Sequence, residues 1–452
     1  MKGRNIFVLM LFLIVFLFSG CIGGQDEEQM NIELNISGGA ELAELENLQK
    51  LVKEQKSQLN QLEKQLATKK TSGSKAEIQA LQKQISKQKS AVVEASKKVE
   101  TVSTAKGQNV SAMFRGVPSH NFYQGFNILP PLDFKWRYRA GAGFDASPIL
   151  SREHIYIGGL DNNFYALSKA TGQPVWKFPA GGAITSTAAL YGGVLYFGTE
   201  AGAVIALEAA KGRQVWRKNV GGPVKLSSPA VFGKFVYVGC MDNKFYALDR
   251  GTGNIVWEHT TMMPIASSPV VANGMVYVAS LDRTMYALDL ETGKVQWTFQ
   301  AGNAISSSPA EDSGTLYFGS DDKKVYALDS VSGGVKWSFS TEAWVASSPV
   351  IKDGVLYIGS NDRRIYALNT QNGRLLWRVD TDGRVLSVPF VANDMLYATA
   401  GKQVLAIDIK TGSVKWEQKY DYTIKSSMTG EDGIVYFADA DSSVFALESV
   451  AK

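Results

Sequence analysis

The chain has 452 residues, 45% of them apolar and 20% charged, with 47 basic against 43 acidic side chains and a net charge of +4. Such a composition supports a large core and excludes a mainly disordered chain. It shows none of the basic excess that a nucleic-acid partner demands. Three His and two Cys, far apart in sequence, leave almost nothing for a zinc site, a haem motif or a Cys–His pair. Composition alone argues against metal-dependent or thiol chemistry, and no metal, cofactor or catalytic residue is assigned in the sequence.

Residues 1–20 read as a signal peptide. Lys2 and Arg4 precede an unbroken apolar run from Ile6 to Phe18, too short to cross a hydrocarbon core of about 30 Å comfortably. The run ends in Phe18-Ser19-Gly20-Cys21, which resembles a lipoprotein lipobox. That resemblance implies that Cys21 is lipidated and ties the protein to a membrane. In a diderm bacterium the anchor is the outer membrane, facing the periplasm. In an archaeon it is the outer face of the cell membrane. Residues 21–40 then form a Gly- and acid-rich tether.

From 41 to 104 the composition shifts to Leu, Gln, Lys and Glu. Leu45, Leu48, Val52, Leu59, Leu62 and Leu66 follow one heptad phase, and Ile78, Leu81, Ile85, Val92, Ala95, Val99 and Val102 follow another. The phase breaks at Thr71-Ser72-Gly73-Ser74, which predicts two helices folded back as an antiparallel coiled-coil hairpin. It serves as a spacer or as a partner-binding element. Residues 105–133 form an irregular leader.

Beyond the leader the chain repeats. Trp136, Trp176, Trp216, Trp257, Trp297, Trp337, Trp377 and Trp416 recur about every forty residues, in step with Ala166, Ala206, Ala247, Ala287, Ala327, Ala367, Ala406 and Ala446. Within a unit, Ser267-Ser268-Pro269 opens an apolar run and Asn273-Gly274 turns into Met275 to Ser280. Met285 to Asp289 follows, and Thr292-Gly293 then leads to Trp297. Four short strands per forty residues predict propeller blades. The last unit stops after Ala446 with no Trp of its own, whereas Trp136 precedes the first complete unit. Residues 134–139 are thus expected as the outer strand of the last blade. The predicted fold is all-β: an eight-bladed β-propeller of four-stranded blades over 134–452.

The run Ala247-Leu248-Asp249-Arg250-Gly251-Thr252-Gly253-Asn254-Ile255-Val256-Trp257 resembles the tryptophan-docking motif of pyrroloquinoline-quinone-type propellers. Ala287 to Trp297 and Ala406 to Trp416 fit it equally well. The resemblance implies that each Trp packs across the neighbouring blade, so the eight form a structural ladder. Two branches of that family differ in function. Quinoprotein dehydrogenases hold the quinone between adjacent cysteines and a Trp, with a calcium ion; this chain has no adjacent cysteines and no long insertions. The lipid-anchored BamB-type propellers match the lipobox and blade number. They imply a non-catalytic scaffold within an envelope protein complex, the β-barrel assembly machinery being the family's partner. The hairpin at 41–104 is an addition to that pattern. An alternative reading is a cell-surface module binding an anionic ligand or glycan, and a weaker one is a dehydrogenase-like enzyme.

One propeller face should carry near-identical Asn-Gly, Asp-Gly and Thr-Gly turns; the other varies from blade to blade. On the variable face lie Lys244, Arg283, Lys323, Lys324, Arg363, Arg364 and Lys402 at successive turns. They form either a solvated rim or a footprint for an acidic partner. Trp344, the ninth Trp, sits in a loop leaving an outer strand, and equivalent loops carry Phe144, Met262, Met263, Arg384 and Tyr422. Large side chains in short surface loops mark a candidate partner-binding site, or else a plug over the channel mouth. Cys240, at a strand end, reads as a small buried filler.

Overall fold

The computed structural model describes residues 128–450 together with Gln58, Leu62, Gln65, Leu66, Ser74, 77–85 and 87–88. The signal segment, Cys21, the tether and most of the expected hairpin lie outside the described residues. Eight four-stranded antiparallel sheets form the blades of a propeller. Blade four shows the plan from the channel outward: Val270–Ala272, Met275–Ala279, Thr284–Asp289 and Val295–Gln300. The second and third strands are buried almost throughout, whereas in the outer strand Trp297 and Phe299 are half-buried and the residues between and around them are exposed. This is the pattern of inner strands covered on both faces by neighbouring blades, with a solvated rim outside.

The core lies between blades rather than within them. Val270, Tyr277, Met285 and Ala287 of blade four share one cluster with Ile305, Leu316, Phe318 and Leu328 of blade five and its entry loop. At the rim, each repeated Ala pairs across strands with its Trp, as Ala247 does with Trp257, and a bulge follows immediately. The small Ala leaves room for the indole, and the bulge increases the local twist that turns the ring toward the next blade. The indole N–H then donates to a turn carbonyl of that blade. The acceptors are Lys169 O (3.0 Å) for Trp136, Ala209 O (3.0 Å) for Trp176 and Arg250 O (2.9 Å) for Trp216. Leu290 O (3.2 Å) serves Trp257, Ser330 O (3.1 Å) Trp297, Thr370 O (2.8 Å) Trp337 and Ile409 O (2.8 Å) Trp377. The glycine of the same turn lies flat against the ring: a Cβ on Gly293 would stand 2.4 Å from Trp257 Cε3. That glycine also has a φ of 73° or less but always positive, as in Gly253 (73°) and Gly293 (69°), a conformation L side chains rarely adopt.

The eighth Trp meets a seam. Leu132–Arg139 pairs antiparallel with Ser443–Ser449 and completes blade eight as its outer strand, with Trp136 opposite Ala446. The strand begins two residues before the expected 134. Among the described residues, no turn follows Ser449 in blade eight to receive Trp416. Ile128 stands in: it is fully buried beside Phe390 and Met395, and its carbonyl accepts the Tyr397 hydroxyl at 3.0 Å. In other blades that Tyr hydroxyl reaches the turn carbonyl of the next blade, as Tyr277 reaches Ser330 O (2.9 Å). Leu129 N–H also donates to Ser449 Oγ (2.9 Å). The ring thus takes up chain from Ile128, before the outer strand begins.

A second ring surrounds the channel. The first Ser of each Ser-Ser-Pro holds its own blade; Ser267 Oγ donates to Ala279 O (2.7 Å) and accepts from Ala279 N–H (2.9 Å). The second accepts from the preceding blade. Ser147 N–H donates to Thr187 Oγ1 (3.1 Å), Thr187 N–H to Ser228 Oγ (3.0 Å) and Ser228 N–H to Ser268 Oγ (3.0 Å). Ser268 N–H donates to Ser308 Oγ (2.9 Å) and Ser308 N–H to Ser348 Oγ (2.9 Å). Val388 N–H donates to Ser427 Oγ (3.0 Å), and Ser427 N–H returns to Ser147 Oγ (2.8 Å). Val388 carries no hydroxyl, so the chain of bonds opens there; Ser347 Oγ instead donates to Ser387 O (2.8 Å). Proline at the next position has no N–H to leave unpaired in the channel wall.

Two stability predictions follow from the seam and the belt. Ile128→Ala should cost about 2–4 kcal/mol, as burial-site truncations do. A chain beginning at residue 140 should lose cooperative urea unfolding; equal midpoints for chains starting at 105 and 140 would refute closure by the N-terminal strand. Ser268→Ala should cost about 1–3 kcal/mol by stranding the Ser228 N–H. Val388→Thr, which supplies the missing acceptor, should instead be neutral or gain about 1 kcal/mol. The same urea titrations decide both.

Candidate protein-interaction face

Each loop from an outer strand to the next blade is held by one buried apolar residue: Ile184, Val224, Ile265, Ile305, Val345, Val385 or Ile424. In five blades it seats over a glycine ending the second strand; a Cβ on Gly319 would lie 2.3 Å from Val345 Cγ1. Phe144 belongs to this series and is 0% exposed, with its ring edge-on to Tyr165 at 6.2 Å. It is therefore no part of an interaction surface. The register shows why: Phe144 stands three residues before Ser147, as Val345 stands three before Ser348, whereas Trp344 stands four before it.

The remaining loop residues are displayed. Met262 is 85% exposed, Trp344 57%, Met263 48% and Tyr422 46%, and Arg384 is exposed as well. More than half of Trp344 is exposed. Two further exposed apolar residues, Leu226 and Leu386, lie in loops of the same face. Leu226 is an extra residue between Val224 and Ser227 and holds a φ of 67°; that insertion was the available signal.

The backbone of the loops that carry Met262 and Trp344 is pinned to the neighbouring turn. In blades four, five and six an Asp of the second-to-third-strand turn accepts two hydrogen bonds at one oxygen. Asp282 Oδ2 accepts from Tyr286 Oη (2.7 Å) and from Met262 N–H (3.0 Å). Asp322 does so from Tyr326 (2.6 Å) and Gly302 N–H (2.8 Å), and Asp362 from Tyr366 (2.7 Å) and Glu342 N–H (3.0 Å). Burial and the Asp partner push the Tyr286 and Tyr366 phenols up to about 12, so they remain donors at physiological pH. The aspartates stitch each turn to the loop before it.

At the turn tips, Arg283, Lys323 and Arg363 hold φ values of 77°, 70° and 65°. Asn162, Gly202 and Asn243 occupy the same position in blades one to three. A long side chain in this left-handed region costs roughly 1 kcal/mol or more relative to Gly. Three consecutive blades accept that cost to present an exposed cation. Lys402 is exposed at the next turn. Other members of the basic arc are tied up. Arg364 bridges Glu342 (2.5 Å) and Asp380 (2.9 Å), and Lys244 pairs with Glu258 (2.6 Å). Lys324 is half-buried. The free cations among the described residues of this arc are Arg283, Lys323, Arg363 and Lys402, and Arg384 of the loop set joins them. In ring order they are interspersed with Met262, Met263, Trp344 and Tyr422.

Cys240 is buried, and its thiol donates to Gly222 O (3.1 Å) and Pro223 O (3.4 Å). Ser280, Ser320 and Ser360 make the same pair of bonds in blades four to six. The cysteine is a serine surrogate, and burial pushes its thiol up to about 12.

The family model described as "Outer membrane protein assembly factor BamB" matches residues 133–228, 206–338, 301–388 and 385–451. The chain belongs to this family. No curated protein matches it. Among solved structures, BamB from Moraxella catarrhalis is 18% identical over 72% of this chain and 99% of its own, with a TM-score of 0.61. A europium-containing methanol dehydrogenase is 13% identical over 75% and 98%, with a TM-score of 0.66. A quinohemoprotein alcohol dehydrogenase from Pseudomonas putida HK5 is 15% identical over 78% and 82%, with a TM-score of 0.64. At such identities the likeness is one of fold, shared by assembly factors and dehydrogenases alike. The residues present do not fit a quinone–calcium site. No three His, Cys, Asp or Glu side chains converge as metal ligands among the described residues, and Cys240 has no neighbouring cysteine.

Cys240→Ser should change stability by less than about 1 kcal/mol, since the serine keeps both hydrogen bonds. In the native protein at pH 8 the Cys240 thiol should resist a thiol reagent and react only on unfolding. Rapid native labelling would contradict its assigned place.

Proposed function

We propose that this chain is a non-catalytic scaffold of the cell envelope, anchored through a lipid on Cys21, that captures a partner protein in an outer-membrane assembly complex. Membership of the BamB family supports the setting. The observation that carries the capture role is the arc of Met262, Arg283, Lys323, Trp344 and Arg363: side chains costly to display, on turns and loops locked by the Asp282, Asp322 and Asp362 bonds. A pre-ordered surface loses little entropy on binding. Aromatic and Arg side chains are those that dominate interface energetics. The mixture of cations with apolar groups on one arc fits an acidic protein segment carrying apolar side chains.

Purification of the membrane-anchored protein from its native host, with its partners retained, tests this reading. Barrel-assembly proteins in the purified complex support it; a bound glycan alone, or dye-linked alcohol oxidation by the pure protein, would overturn it. Trp344→Ala should weaken partner capture by about 2 kcal/mol, roughly thirtyfold, with stability changed by less than about 0.5 kcal/mol. Arg363→Glu should slow association and flatten its salt dependence. Arg364 is the wrong residue for that test, because reversing it breaks the Glu342 and Asp380 pairs.

A further inference from the structure

The turn between third and outer strands carries, two residues before its positive-φ Gly, a residue that varies from blade to blade. In chain order it is Ala170, Ala210, Gly251, Glu291, Val331, Gln371 and Lys410. Six of the seven are exposed, as the rim of a solvated face requires; Val331 alone is half-covered. Blade five is also the one that places a branched apolar residue there. The cover comes from the N-terminal third of the chain. Ile85 is buried, with Leu62, Leu66 and Val331 packed against it.

The covering element is itself ordered by local chemistry. Ser74 and Glu77 cap the helix through 77–85 reciprocally: Ser74 Oγ accepts from Glu77 N–H (3.3 Å), and Glu77 Oε2 accepts from Ser74 N–H (2.8 Å). Gln88 Nε2 donates to Gln58 Oε1 at 3.1 Å, and with Leu62 and Leu66 against Ile85 this sets two helical segments side by side. Two helices with so thin an apolar stripe shield an isoleucine poorly by themselves. A third wall is needed, and Val331 supplies it.

We propose that the helical pair is docked on the Thr-Gly face of the propeller at blade five, with Val331 as its anchor, instead of standing free as a spacer. The pair then occupies one face and leaves the opposite face, with Met262, Trp344 and Arg363, open. The docking stands on the contacts at Val331 and does not depend on the partner-capture reading. Its consequence is a fixed orientation of the capture face relative to the helices.

Hydrogen exchange of the full-length protein, read by peptide, decides the matter. Val331→Asp should raise exchange through 77–85 at least tenfold while peptides of blade five stay protected, and Gln371→Asp in blade six should leave 77–85 unchanged. Val331→Ala, which cannot disturb the turn, should give a smaller increase of about threefold. Unchanged exchange at 77–85 in both Val331 variants, or an equal rise with Gln371→Asp, would overturn the docking. Trp344→Ala, the capture variant, should leave 77–85 as in the parent, so that failure of one proposal is separable from failure of the other.

Discussion

A blade of this propeller is finished by its successor. The indole of its outer strand needs the next blade's turn carbonyl as acceptor and the next blade's positive-φ glycine as a floor. Neither is available within the blade. A half-buried indole N–H without a partner loses the better part of its hydrogen-bond energy, about 1 kcal/mol or more, and an exposed ring forfeits its burial besides. The requirement passes from blade to blade and has to be met somewhere for the last. The chain meets it in two ways. Its outer strand 132–139 gives blade eight a Trp that docks on blade one, and the Ile128 segment covers blade seven where the described residues offer no turn.

The rim is held by Trp, the channel wall by hydroxyls. Between the two rings lie apolar clusters owned jointly by adjoining blades. The division leaves the loops of one face free of structural duty except at their single buried residue and at the Asp that stitches them. Variation in the displayed residues then costs the fold little. That is why Met262 can stand where Gly141, Gly181, Gly221 and Gly302 do, and Trp344 where Gly143, Ala183, Pro223 and Ala304 do. The same argument applies on the opposite face, where the one variable turn position becomes apolar in blade five and is covered.

The repeat was legible because its determinants are local or periodic: a Gly at positive φ, a Trp at near-fixed spacing, a small Ala opposite it, and a Ser-Ser-Pro at the entry of blades three to six with close variants elsewhere. Blade number and closure by the N-terminal strand could be counted from them. The role of Ser-Ser-Pro could not be, since its second hydroxyl accepts a hydrogen bond from the backbone N–H of a residue about forty positions earlier. That partner is adjacent only once the ring exists. The same holds for Cys240, whose likeness to Ser280 and Ser320 lies in shared carbonyl acceptors.

Side-chain direction divided what could be read from what could not. Phe144 and Trp344 are both aromatic and both sit in loops leaving an outer strand, yet one is fully buried and the other more than half exposed. Arg363 and Arg364 are adjacent, yet one stands free at a turn tip and the other is spent on two carboxylates. By itself the sequence determined the architecture, because alternating strands, tight turns and a forty-residue period permit no other ring. Only the tertiary structure decided which loop side chains face inward, which cations are neutralised and where the helices rest, because each depends on groups contributed by a neighbouring blade or a distant segment of chain.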